Sequence, residues 1–159
     1  MSVVLYRVDE RLIHGQVVVG WARRLGPRRI IVVDDELAAD ALEQSIYRTG
    51  LPADVRADFW SVEEAVSRLP AVEESDEPAF VLTASLSTMS RLAHDGIVLR
   101  EINVGGIHRG EGRKRVLPYV SLGPEEQRLI DELERAGVRV VARDVPTAPA
   151  VRLIERERG

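Results

Sequence analysis

Apolar residues along this chain gather into short runs separated by stretches with helical spacing. The runs are VVLYRV (3–8), RIIVVDD (29–35), VRADFW (55–60), AFVLTAS (79–85), EINVGG (101–106), RVLPYVSL (115–122) and VRVVARDV (138–145). Alternation of this kind predicts β-α-β units on a mainly parallel sheet of about six to seven strands. Runs such as IIVV (30–33) are apolar on both strand faces, so helices are expected on both sides of the sheet. The predicted fold class is therefore α/β: one domain over 1–159, built on an open, mostly parallel, twisted sheet.

The segments between the runs carry helix signals. In GQVVVGWARRLGP (15–27), Val17, Val18, Trp21 and Leu25 share a face, Gly26 suits the C′ position and Pro27 stops the helix. DDELAADALEQSIYRTG (34–50) reads as one helix ending at Gly50. SVEEAVSRLP (61–70) opens with Ser61 and Glu64 in capping-box spacing. TMSRLAH (88–94) follows a candidate N-cap at Ser85 or Ser87. GPEEQRLIDELERAG (123–137) begins with Pro124 and two acids, which suit a helix N-terminus. PAVEESDEP (70–78) reads as an acidic, turn-rich linker, and APAVRLIERERG (148–159) as a last helix.

Composition narrows the function. The chain has 159 residues, 45% hydrophobic and 30% charged, the balance of a soluble globular protein. It contains no Cys, which removes disulfides, thiol nucleophiles and Cys-based metal sites. A net charge of −4, with GRKR (112–115) the one dense basic stretch, argues against nucleic acid as a partner. No signal peptide is read at the N-terminus, and no window approaches the roughly 20 apolar residues needed to span a bilayer.

The chemistry concentrates in YRVDERLIHGQVVVGW (6–21). In an open parallel sheet, ligands bind beyond the carboxyl ends of the strands, and Asp9 to His14 form the first such loop. His14 then lies beside the free N–H groups of a helix N-terminus, a natural anion site, with Gly15 leaving the backbone accessible. A neutral imidazole is a good nucleophile at neutral pH, and Arg11 offers a planar fork suited to phosphoryl oxygens. These features favour phosphoryl transfer through His14. Asp9 is placed either to hold Arg11 or to orient the imidazole, and Glu10 is an alternative carboxylate. A solvated turn is the competing reading. His14, His94 and His108 lack the spacing of a metal-ligand set, so no metal and no cofactor are expected.

RVDERLIHGQVVVGW (7–21) followed by RIIVVDDELAAD (29–40) resembles the IIB component of the mannose, fructose and sorbose family of the bacterial phosphoenolpyruvate-dependent sugar phosphotransferase system. INVGGIHRGEGRKRVLPYVSL (102–122) is similar to that family's glycine-pair segment and the strand after it. The resemblance covers about Val3 to Val151. It implies that His14 accepts a phosphoryl group, on Nδ1, from the phosphohistidine of a IIA protein. It further implies delivery to a sugar entering through the membrane components IIC and IID, with Arg11 and Asp9 serving the transfer. The implied setting is cytoplasmic, peripheral to the inner face of the membrane through those partners; a homo-oligomer is left open.

Other residues keep two readings. Gln16 either donates to the phosphate or caps the helix, and Arg7 is placed to pair with Asp9 or Glu10. Trp21 is expected in the core. NVGG (103–106) is either an anion-binding nest or a tight turn that lets backbone pass close to another loop. Thr83, Ser85, Ser87 and Thr88 follow a strand at the same edge as His14, but none is assigned to the site. His94 suits a C-terminal cap, and His108 with Arg109 a partner surface. Two competing functions stand beside the phosphocarrier: a regulatory phosphoprotein using the same His14 chemistry, and a nucleotide-binding module using Gly105, Gly106 or Gly110. The latter lacks the usual glycine spacing.

Overall fold

Alternating burial sets the architecture of the computed structural model, which describes residues 2–154. In strand β2 (Arg29–Val33), Ile30 and Val32 face one core while Ile31 and Val33 face another. Strand β4 (Ala79–Thr83) divides in the same way, with Phe80 and Leu82 on the first side and Ala79 and Val81 on the second. Period-two apolar residues on both faces require a sheet covered on both sides. Together with β1 (Val3–Asp9), β3 (Arg56–Trp60), β5 (Glu101–Gly106), β8 (Arg139–Ala142) and β9 (Val151–Arg152), these strands form one seven-stranded sheet. The order is β3-β2-β4-β1-β5-β8-β9, parallel throughout except that β9 runs antiparallel to β8. The expected single α/β domain is what the chain forms.

The helices segregate by the direction of each crossover. The leftward connections from β1 and β2 carry a π-helical turn (Gln16–Trp21) continuing into α1 (Ala22–Leu25), then α2 (Asp35–Ala38) and α3 (Ala41–Thr49). Val17, Trp21, Leu37 and Tyr47 from these segments pack against Leu5, Ile30, Phe59 and Phe80. The rightward connections carry α4 (Val62–Glu74), α5 (Leu86–His94) and α6 (Pro124–Arg135), whose apolar faces close the opposite core. Right-handed crossovers demand this division. Strand β1 therefore sends its outgoing loop to one face while its neighbours β4 and β5 send theirs to the other, and a crevice opens at its carboxyl end.

Four expectations need correction. The run RVLPYVSL does not join the sheet: Pro118, with no N–H to donate, splits it into an antiparallel hairpin of β6 (Lys114–Leu117) and β7 (Val120–Leu122). Ile107 and Val120 bridge this hairpin to the end of β5. The segment 34–50 is two helices rather than one. Asp34 caps the first through Leu37 N–H, and Asp40 restarts the chain by accepting from Glu43 N–H. Half of the supposed acidic linker is helical, because Leu69 and Val72 continue the buried stripe of Val62 and Ala65 past Pro70 as far as Glu74. The last correction concerns the chain's end, where Val151 and Arg152 pair with β8 and Leu153 is fully buried. That segment is strand, and the remainder of the expected final helix, 155–159, lies outside the described residues.

Candidate functional site

Asp9 is the last residue of β1 and its side chain has no solvent exposure. The chain leaves the strand through a tight turn. Glu10 N–H donates to Gly106 O at 3.0 Å and Leu12 N–H returns to Asp9 O at 3.0 Å. Leu12 closes the turn at φ 56°, a left-handed conformation that non-glycine residues seldom adopt, while its side chain is buried in the core. This geometry folds residues 11–14 back over the strand end and directs the Arg11 and His14 side chains onto the Asp9 carboxylate, which Arg7 reaches from within the strand.

The Asp9 carboxylate accepts five hydrogen bonds. Oδ1 receives Arg11 N–H at 3.0 Å and Arg11 Nε at 3.1 Å; Oδ2 receives Arg11 Nη2 at 3.1 Å, Arg7 Nη2 at 3.1 Å and His14 Nε2 at 2.9 Å. Burial, the largest single influence, would raise the carboxyl's pKa. Hydrogen bonds from the His14 and Arg11 side chains and from Arg11 N–H, with the charge on Arg7, outweigh it and hold Asp9 well below the usual carboxylate range. An ionised carboxylate can only accept, so His14 Nε2 carries the hydrogen, and in the neutral ring Nδ1 keeps its lone pair. Nδ1 faces the N-terminus of the first helical segment, where Gln16 N–H approaches it at 3.4 Å. A π-helix leaves more unpaired N–H groups at its start than an α-helix, because each bond reaches five residues back. The site thus offers an imidazole nucleophile with its reactive nitrogen beside amide donors.

Asp9 contacts both groups the sequence offered it: it accepts from the Arg11 guanidinium and from His14 Nε2. The Gln16 side chain does not cap the helix; its Oε1 accepts from Arg11 Nη2 at 3.0 Å. Gly15 has φ −52°, open to any residue, and a Cβ there would meet nothing within 4 Å. It leaves clear space beside His14. Glu10 turns elsewhere, accepting from Arg113 Nη1 at 3.0 Å and lying 2.9 Å from His108 Nδ1. His108 therefore anchors the loop after β5, while His94 is exposed at the C-terminus of α5. Thr83 donates to Ser85 O, and Ser85 caps α5 through Thr88 N–H, so these hydroxyls serve local turns. No group of three His, Asp or Glu side chains placed to hold a metal occurs among the described residues.

Sequence reasoning understated Arg7 and misread the glycines opposite it. Arg7 is fully buried, with Nη1 on Asn103 Oδ1 at 2.5 Å and Arg143 O at 3.0 Å, and Nη2 on Asp144 O at 3.1 Å as well as on Asp9. Its guanidinium carbon lies 5.3 Å from the ring centroid of Trp21, whose Nε1 donates to the same Asp144 carbonyl. Gly105 and Gly106 form neither a nest nor a turn but lie within β5. A Cβ on Gly105 would fall 1.9 Å from Arg7 Nη2, and one on Gly106 would fall 3.0 Å from Asp9 Oδ1. These glycines are the hollow that admits the charged cluster. The signal was present as an arginine and an aspartate two apart on a strand, facing a glycine pair.

Residues 3–155 match the family described as the sorbose subfamily IIB component of the PTS. The chain is 30% identical over 154 residues to the N-acetylgalactosamine-specific phosphotransferase enzyme IIB component 2 of Escherichia coli (strain K12), spanning 97% of this chain and 98% of that one. It is 29% identical over 155 residues to the mannose-specific EIIAB component of the same organism, spanning 98% of this chain and 48% of the relative. Among solved structures, the IIBSor domain of the sorbose permease from Klebsiella pneumoniae superposes with a TM-score of 0.89 at 29% identity, covering 98% of this chain and 96% of that one. Sequence, fold and the charged cluster at the end of β1 converge: the chain belongs to the sorbose subfamily of PTS IIB components.

Proposed function

We propose that this IIB component takes a phosphoryl group from the phosphohistidine of a IIA protein onto His14 Nδ1 and passes it to a sugar entering through IIC and IID. One observation carries the reading: the 2.9 Å contact between His14 Nε2 and the buried Asp9 carboxylate, which in the neutral imidazole puts the hydrogen on Nε2 and the lone pair on Nδ1, at a helix N-terminus. Membership of the family supports the partners. The mannose relative, an EIIAB component, joins IIA and IIB by name, which fits direct transfer between the two components.

In the first half-reaction the Nδ1 lone pair attacks phosphorus, a P–N bond forms on His14 and the donor's P–N bond breaks. Positive charge builds on the His14 ring as it loses its free pair. Asp9 stabilises that charge through Nε2–H without itself taking the proton. Negative charge on the equatorial phosphoryl oxygens is met by N–H groups of the first helical segment and by Arg11. In the second half-reaction a sugar hydroxyl oxygen attacks phosphorus, its proton leaves to a base, and His14 departs as neutral imidazole with Nε2–H retained. A phosphoramidate on imidazole keeps a high transfer potential, which a serine ester would not.

No helix among the described residues is long and apolar enough to cross a membrane. Membership of the family supports a place at the cytoplasmic face, where this component would deliver phosphate to membrane partners. The test is sugar phosphorylation by membranes containing IIC and IID, with phosphoenolpyruvate, the general components and IIA. Product formation on adding this protein is the expected result. Phosphorylated protein that never yields sugar phosphate, with every cognate membrane component present, overturns delivery to sugar and leaves a signalling role.

A further inference from the structure

Two arginines meet Asp9, and their surroundings differ sharply. Arg7 is fully buried, its guanidinium lies against the bare Cα of Gly105, and both Nη atoms are bonded to pairs of acceptors. Its Nε alone has no partner among the buried side-chain atoms described. No rotation of this side chain is possible without losing Asn103, the carbonyls of residues 143 and 144, and the Trp21 face together. Arg11, in contrast, is 37% exposed and hangs from Asp9 by two side-chain bonds, with Gln16 its only other side-chain partner among the described residues. It can leave.

We infer that Arg7 is the fixed counter-charge of Asp9, and that its presence allows Arg11 to release the carboxylate and turn onto the phosphoryl group. A single arginine could not serve both ends. If Arg11 alone compensated Asp9, moving it to phosphate would strand a buried carboxylate, a costly state that would hold Arg11 in place. With Arg7 bonded to Oδ2, Asp9 keeps a cationic partner throughout and continues to orient Nε2–H of His14. Arg7 is thus a positioning residue: it touches no reacting atom and acts through Asp9. Gly105 belongs to the same device, since any Cβ at that position would occupy the guanidinium's place.

The Arg11 movement rests on the proposed phosphoryl transfer; the counter-charge role does not, and the experiment separates the two. In unphosphorylated protein, the Asp9 carboxyl is titrated by carbon-13 NMR in wild type, Arg11→Ala, Gly105→Ala and Arg7→Lys. Asp9 should titrate at somewhat higher pH in Arg11→Ala, which loses two side-chain bonds to the carboxylate, and at higher pH still in the two variants that disturb Arg7. A rise in Arg11→Ala as large as in Gly105→Ala overturns the counter-charge role whether or not His14 is ever phosphorylated. Arg7→Lys retains a buried cation and serves if Gly105→Ala fails to fold. On phosphorylation by phospho-IIA, the Arg11 Nε resonance should move and that of Arg7 should not. The transfer rate in Gly105→Ala should fall on the order of tenfold, and less than additively with Arg11→Ala because the two losses share one contact. Equal movement of both arginines, or additive losses, overturns the release of Arg11.

Discussion

Replacing Asp9 with asparagine removes one charge and almost no volume, so its effect reports the electrostatics of the site directly. The amide has one oxygen and one NH2 where the carboxylate has two acceptors. Placing the amide oxygen at the Oδ2 position keeps Arg7 and His14 bonded, and turns the NH2 towards Arg11 N–H and Nε. Arg11 is partly exposed and can swing away, so this orientation is the less costly one. It still leaves Arg7 buried without its counter-ion. Breaking a buried pair from one side costs about 3–5 kcal/mol, and that is the destabilisation expected here. The imidazole keeps its tautomer but loses the anion that stabilises its developing charge, which should slow transfer by about a hundredfold or more. Urea unfolding at pH 7 gives the first quantity, and transfer from phospho-IIA under folded conditions gives the second. Stability within about 1 kcal/mol of wild type, together with an unchanged rate, would refute the role of the Asp9 charge.

Arg11→Ala should slow transfer by about a hundredfold, on the order of 2–4 kcal/mol of barrier, with Arg11→Lys recovering only part because an ammonium cannot reproduce the fork. Its melting temperature should change little, since the side chain is more than a third exposed and Asp9 keeps Arg7. Stability should decline in acid: Asp9 has a lowered pKa when folded, so its contribution is complete above its unfolded value of about 3.8 and is lost as pH falls towards the folded one. Denaturant midpoints between pH 5 and pH 2 should therefore fall more steeply in wild type than in Asp9→Asn. Label on the phosphorylated protein should be acid-labile and alkali-stable, as a phosphoramidate is and a serine ester is not.

The parallel strands were legible because burial on both faces produces short apolar runs, rich in β-branched residues and regularly spaced between longer helical stretches. So were the capping box at Ser61 and Glu64, and the left-handed Gly26 that ends the first helix. The loop residues Asp9, Arg11, His14 and Gln16 were found together because they are adjacent in sequence. What escaped was contact between distant segments. Nothing in the local pattern around Arg7 announces Asn103 or the carbonyls of 143 and 144, and glycines within a strand look like turn residues until the side chain they admit is known. The π-helical turn is hidden for another reason: over six residues its spacing cannot be told from an α-helix. Pro70 misled in the opposite direction, because tertiary burial of Leu69 and Val72 outweighs the local cost of proline inside a helix.

The central claim is that His14 Nδ1 carries the phosphoryl group. Incubating the protein with phosphoenolpyruvate, the general components and a IIA protein, and following it by phosphorus-31 and nitrogen-15 NMR, tests it most directly. The account predicts one phosphohistidine, substituted on Nδ1, at His14 and at neither His94 nor His108, with Nε2 still protonated against Asp9. Label that persists in His14→Ala, or a phosphoryl group found on Nε2, would contradict it.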